Sequence, residues 1–260
     1  MSTVLSADGT SLDYDRYGEG PTVVFVGGAT QYRALDEGTT EIARRVGMAG
    51  FSAVVYDRRG RGRSGDTAPW ALEREVEDLA AIIREIGAPA AVYTSSSGAT
   101  IGLEAARTGI VSRLALYEPP FFAGADNSAH VDALRVFVND GKYDEAMRYN
   151  LTHVMNLPNE AVEGMTHSPA WPLMTAVAPT LVYDFTAVHD VNVDRDWRAR
   201  WAEVTVPTIV YSGDQTFPGM PEAADAVAAA LPHAERRVLT GQGHGPTPDA
   251  IVPVLLDFLR

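Results

Sequence analysis

The stretch that most constrains this chain is Ala90–Arg107, where an apolar run stops at five small polar residues and a helical pattern begins at once. Ala90-Ala91-Val92-Tyr93 reads as a buried strand, Thr94-Ser95-Ser96-Ser97-Gly98 as the turn, and Ala99–Arg107 as a helix with small and aliphatic residues at helical spacing. So short a passage from strand to helix puts the apex residue in strained backbone geometry, which tolerates only small neighbours two positions away. Ser96 meets that condition, with Thr94 before it and Gly98 after, and it is the one serine of the three with a glycine two residues on.

The apex of such a turn projects a hydroxyl clear of the sheet. The next amide, that of Ser97, opens a helix, where unpaired N–H groups and the helix dipole favour developing negative charge. This is the form of a nucleophile elbow, with Thr94 standing where the pattern Gly-x-Ser-x-Gly has its first glycine. The plainer alternative is a serine-rich helix N-cap.

Around this turn the chain alternates strands and helices. Thr3–Ser6 and Ser11–Tyr17 flank Asp8-Gly9, a hairpin signal; Thr22–Val26 and Ser52–Tyr56 are continuous apolar runs separated by a helix over 41–50. A helix over 70–87 buries Leu72, Val76, Leu79, Ile82, Ile83 and Ile86. Arg113–Tyr117, Val206–Tyr211 and Arg236–Leu239 are further strands, and helices are expected over 221–231 and 250–259. Such a rhythm implies an α/β fold: a doubly wound, mostly parallel sheet with right-handed crossovers. From Phe121 to Trp201 the rhythm changes. Helical patterns at 130–139 and 143–155 appear there, divided by Pro158, Pro169, Pro172 and Pro179, with no buried strand.

Composition narrows the function. Acidic residues number 34 against 21 basic, a formal charge of -13, which disfavours nucleic acid and anionic membrane as partners. With no cysteine, disulfides, thiolate catalysis and cysteine-ligated metal centres are excluded. The first residues carry neither a basic leader nor an apolar core segment, so a cytoplasmic protein is expected.

Asp57-Arg58-Arg59-Gly60-Arg61-Gly62-Arg63-Ser64 matches Asp-x-Arg-Gly-x-Gly-x-Ser throughout. It resembles the loop after the fourth strand of α/β-hydrolases, a structural loop whose charges satisfy one another and its backbone. With Gly27-Gly28, Ser96, Gly98 and the glycine-flanked His244, the chain resembles a serine α/β-hydrolase of the capped, esterase- and lactonase-like branch along its whole length. The resemblance implies an α/β-hydrolase core over 1–118 and 202–260 and a helical cap over 119–201, whose Phe121, Trp171 and Tyr183 are candidate substrate-binding residues. It implies Ser96 as nucleophile and His244 as base, with the amides of Ala29 and Ser97 as oxyanion donors and Gly28 as the alternative to Ala29.

For the acid, the family position three residues after Gly213 holds Thr216, which leaves Asp214 nearby and Glu118 at the end of the preceding strand; Glu118 is preferred. The reaction implied is hydrolysis of a small apolar ester or lactone through an acyl-enzyme, with no metal or organic cofactor and a small-molecule substrate as partner, the oligomeric state being left open. A cofactor-free lyase, cyclase or perhydrolase on the same triad, and a non-catalytic ligand-binding protein, are the alternatives.

Overall fold

The computed structural model describes residues 2–260. One sheet runs through them, built from β1 (Ser2–Leu5), β2 (Ser11–Tyr17), β3 (Thr22–Val26), β4 (Ser52–Tyr56), β5 (Ala90–Ser95), β6 (Val111–Tyr117), β7 (Thr208–Gly213) and β8 (Ala234–Leu239). Their spatial order is β1-β2-β4-β3-β5-β6-β7-β8. The hairpin β1–β2 and its junction with β4 are antiparallel, and every other pairing is parallel. The expected doubly wound, mostly parallel sheet is therefore present, with β5 near its middle.

The apolar strands lack a polar face because both faces are covered. Val24, Val26, Val92, Leu114, Leu116 and Val210 point to one side, where α2 (Leu72–Ile86), α3 (Gly98–Arg107) and α10 (Met220–Ala230) pack. Val23, Phe25, Tyr93, Ala115, Tyr117, Ile209 and Tyr211 point to the other, against α1 (Glu37–Met48) and α11 (Pro248–Leu259). Helix α1 starts before the expected residue 41 because the Asp36 carboxylate caps it, accepting from the Thr39 amide at 2.9 Å.

Between β6 and β7 lie only helices: α4 (Ser128–Asn139), α5 (Tyr143–Tyr149), α6 (Asn159–Thr166), α7 (Trp171–Ala176), α8 (Ala178–Val193) and α9 (Trp197–Trp201). The single helix expected over 143–155 is instead α5 followed by a π-helical turn, Asn150–Val154. Pro172 and Pro179 occupy the first turns of α7 and α8, where a missing N–H costs nothing. This segment has its own small core, which takes in Tyr32 and touches Ala29 and Leu35 of the loop after β3.

The Asp57–Ser64 loop departs from the expectation that its charges satisfy one another. Asp57 does serve the loop, accepting from the Arg63 amide at 3.1 Å, and the Ser64 hydroxyl donates to the Asp57 carbonyl at 2.5 Å. The arginines reach outside it. Arg59 makes a two-pronged pair with Asp78, at 2.7 Å on each arm, and Arg58 does the same with Glu75 at 2.6 Å. Glu75 and Asp78 are thus buried on the helix face where the sequence pattern shows only aliphatic residues.

Removing one member of a buried pair strands the other charge away from water, at a cost of about 3–5 kcal/mol, whereas an exposed pair contributes about 1 kcal/mol or less. Asp78→Ala is accordingly expected to lower the unfolding free energy in urea by about 3–5 kcal/mol, and Arg44→Ala, which breaks the exposed pair with Glu41, by no more than about 1 kcal/mol.

Candidate active site

Ser96 occupies the apex of the β5–α3 turn with φ of 51°, a left-handed conformation that non-glycine residues adopt rarely. Its amide extends the sheet ladder by one step, donating to the Tyr117 carbonyl at 2.9 Å. The glycines around it are required by close approach. A Cβ at Gly98 would lie 2.8 Å from the carbonyl oxygens of Val26 and Gly27, and one at Gly28 would lie 2.7 Å from the Ser95 carbonyl and 2.9 Å from the Ser96 Cβ. The end of β3 therefore rests directly against the elbow. Thr94, where glycine is usual, fits because Gly102 stands opposite on α3: a Cβ at Gly102 would sit 2.5 Å from the Thr94 methyl.

Glu118 also has a left-handed backbone, with φ of 48°, and its amide donates to the Tyr211 carbonyl of β7 at 2.9 Å. That twist at the end of β6 turns the carboxylate toward the end of β7, where it is fully buried. One oxygen accepts from the Gly213 amide at 2.8 Å. The other accepts from the Thr216 hydroxyl at 2.7 Å and lies 2.6 Å from Nδ1 of His244. An ionised carboxylate can only accept, so this contact fits the tautomer with the proton on Nδ1, which in a neutral imidazole leaves Nε2 as the acceptor. Further contacts fix the His244 loop: Tyr117 donates to the Gly243 carbonyl, Asp214 accepts from the Gly241 amide at 2.6 Å, and Phe217 meets the imidazole edge-on with ring centres 5.4 Å apart.

In the loop after β3 the neighbouring amides of Gly28 and Ala29 differ. The Gly28 N–H is taken by the Gln31 side chain at 2.5 Å, and that side chain is held in turn by Asp36. The amides of Ala29 and Ser97 donate to no acceptor among the described residues. Thr30, with φ of 65°, turns the chain sharply just beyond, and its hydroxyl donates to the Ala29 carbonyl at 2.6 Å.

Behind these amides sits a buried ionic cluster. Asp184 of α8 accepts from the Ser97 hydroxyl and from Arg58, both at 2.7 Å, and from Arg61 on its other oxygen. Arg61 also donates to the Gly28 carbonyl at 2.5 Å, the Gln31 carbonyl at 3.0 Å and the Thr180 hydroxyl at 3.1 Å. Burial alone would raise the Asp184 carboxyl, but the two guanidiniums reverse that and hold it below the usual carboxylate range. Arg61 is pushed down by burial and by its neighbour Arg58.

A strained serine at the end of a central strand, with an acid-oriented histidine brought to the same sheet edge, agrees with a comparison across known families. Residues 23–254 match the model of the alpha/beta hydrolase family. The chain belongs to that family. An alpha/beta hydrolase from Sphaerobacter thermophilus is 39% identical, with a TM-score of 0.88 over the whole of both chains. A non-heme haloperoxidase from Rhodococcus erythropolis is 24% identical over the full length of both. The enol-lactonase of Burkholderia xenovorans shares the fold at 20% identity, with a TM-score of 0.67 over 99% of each chain.

Within this alpha/beta hydrolase the structure brings together Glu118 and His244, and sets Ala29, Gly28 and Ser97 around the elbow. Asp214 is placed apart: it is exposed and holds the Gly241 amide, so it shapes the histidine loop and does not touch the imidazole. The three aromatic candidates are also placed elsewhere. Phe121 is buried against Trp201, Trp171 lies in the core of the inserted helices with its indole N–H on Asp144, and Tyr183 stacks on Trp70 and donates to Asp66. A cavity of about 270 Å³ lies between α2, α3, α8 and α9, and neither Ser96 nor His244 lines it. Sequence reading missed Gln31, Phe217 and Asp184. The vacant acid position at Thr216 was the one available signal for this part of the site, since its hydroxyl now serves the displaced carboxylate.

The Thr94–Gly102 contact predicts strong coupling. Gly102→Ala is expected to cost about 1–3 kcal/mol in urea unfolding through overpacking, and most of this penalty should be lost in a Thr94→Ala background, where the nearer methyl is gone and only the Leu114 Cδ1 at 3.1 Å still has to give.

Proposed function

We propose that this chain is a serine hydrolase that cleaves small carboxylic esters or lactones through an acyl-enzyme. The observation that carries the reading is the 2.6 Å contact between His244 Nδ1 and the fully buried Glu118, on the strand next to the one that ends in strained Ser96.

In this reading Nε2 of His244 takes the Ser96 proton as Oγ bonds to the substrate carbonyl carbon. The carbonyl oxygen becomes an oxyanion held by the Ala29 and Ser97 amides, which are already in place and lose no competing partner. The carbon–oxygen bond to the leaving alcohol then breaks, and the alcohol takes the proton from Nε2. Water repeats the sequence: it loses a proton to His244, attacks the acyl carbon, and releases the acid with Ser96 reprotonated. Glu118 keeps the imidazole in the required tautomer and stabilises the imidazolium. The Gly213 N–H on one of its oxygens and the Thr216 O–H on the other keep it from rotating away.

The relative named as a haloperoxidase favours a second reading, perhydrolysis, in which hydrogen peroxide takes the acyl group in place of water and a peracid leaves. Product analysis of acyl transfer to peroxide against water discriminates the two.

A fluorophosphonate is expected to label wild-type protein at Ser96 and to fail with Ser96→Ala or His244→Ala; folded wild-type protein that takes no label would point instead to a binding protein. On p-nitrophenyl acetate, Glu118→Gln is expected to lower kcat by about 10³–10⁴ and Asp214→Asn by less than about tenfold. The opposite ranking would transfer the acid role to Asp214.

A further inference from the structure

We propose that Arg61 and Asp184 form a clamp that positions both oxyanion amides, so that inserted helix α8 belongs to the catalytic apparatus; this rests on the serine-hydrolase reading above. The loop arginines would then be positioning residues for acyl transfer as well as supports for the fold.

The first arm of the clamp is the peptide between Gly28 and Ala29. In a trans peptide the C=O and N–H point in opposite directions. Arg61 draws the Gly28 carbonyl inward at 2.5 Å, and the amide of Gln31 supports the same oxygen at 3.3 Å, so the Ala29 N–H is turned the opposite way, out of the buried cluster. Arg61 also fixes the far side of this short loop by donating to the Gln31 carbonyl at 3.0 Å. Between the two anchored carbonyls the loop carries left-handed Thr30, a β-branched residue in a conformation it adopts only when its surroundings impose it. A charged donor on the carbonyl also polarises the peptide and strengthens its N–H as a donor.

The second arm is Ser97. Its hydroxyl donates to Asp184 at 2.7 Å, which ties the residue bearing the other amide to the same carboxylate that receives Arg61. One side chain of α8 thereby sets the spacing between the two donors. Thr180, one helical turn earlier on α8, accepts from Arg61 Nε at 3.1 Å and completes its alignment. The charges of Arg58, Arg61, Glu75 and Asp184 balance, so the clamp brings order to the oxyanion site without placing net negative charge behind it.

Lysine cannot reproduce Arg61, because a single ammonium cannot span two carbonyls, a hydroxyl and a carboxylate held in a planar fork. The test compares Arg61→Lys, Asp184→Asn and Ser97→Ala with wild type on p-nitrophenyl acetate, with active sites counted by fluorophosphonate labelling. Inhibition by an alkyl boronic acid, whose tetrahedral serine adduct places an oxygen in the oxyanion site, is the second readout.

Arg61→Lys and Asp184→Asn are expected to lower kcat per labelled site by about ten- to a hundredfold with KM changed less than about threefold, and Ser97→Ala by about three- to tenfold. Boronate affinity should fall in proportion to kcat/KM. Variants that keep kcat per labelled site within about twofold of wild type, or lose kcat while keeping full boronate affinity, overturn the clamp and leave the hydrolase reading intact. Wild-type protein that neither labels nor hydrolyses overturns both. Should the arginine and aspartate variants fail to fold, Ser97→Ala and Thr180→Val, which each remove one hydroxyl contact, decide the matter by the same two readouts.

Discussion

The carboxylate of Asp184 is the tie on which the carboxyl edge of the sheet, with its candidate site, depends. It comes from the middle of α8, far along the chain, yet it receives the Ser97 hydroxyl of the elbow and both Arg58 and Arg61 of the loop after β4. Those arginines continue to the carbonyls of Gly27 and Gly28 at the end of β3. Three strand ends that the sheet places side by side, those of β3, β4 and β5, are thus connected through a residue of the inserted helices. Without it, two guanidiniums would be left buried with only Glu75 between them.

Such a cluster is an expensive way to gain stability. Each buried ion forfeits several kcal/mol of hydration, and an apolar replacement of similar volume is often no worse for the fold. What a charge network supplies is direction: a guanidinium fork accepts only a narrow range of partner positions, whereas leucine and valine slide. The contrast appears within this chain. The faces of the central sheet, where only exclusion of water matters, are aliphatic and aromatic; the carboxyl edge, where particular amides and hydroxyls must point in particular directions, is ionic.

Much of this was legible in the sequence because it follows from local rules. Continuous β-branched runs named the central strands, the abrupt change at 94–98 named the elbow, and glycines on both sides of His244 marked its loop. The rest depends on partners remote in the chain. Whether Glu118 or Asp214 meets the imidazole is decided by which way the chain leaves β6 and β7, and a positive φ at a glutamate has no sequence signature. Glu75 and Asp78 sit on a helix whose pattern is amphipathic, and only the placement of Arg58 and Arg59 beneath it explains why two carboxylates face inward. Composition marks the aromatics of the insertion as candidate pocket walls but not their partners, and in the structure Phe121 packs on Trp201, Trp171 donates to Asp144 and Tyr183 stacks on Trp70.

Backbone strain follows the same geography. Among the described residues four non-glycine positions have positive φ, and three of them, Thr30, Ser96 and Glu118, follow the carboxyl ends of β3, β5 and β6, which are neighbours in the sheet. Conformations of this kind cost about 1–3 kcal/mol each and survive only where the surroundings over-determine them. Here the surroundings are visible. Ser96 and Glu118 are each held by an extra ladder bond to the next strand, and Thr30 by the two carbonyls that Arg61 anchors on either side of it. The sheet supplies rigidity at two of these positions and the ionic cluster supplies it at the third. An edge built this way holds a hydroxyl, a carboxylate bonded to an imidazole and a free amide on neighbouring strand ends, and under the hydrolase proposal that order is the condition for electrostatic stabilisation without reorganisation.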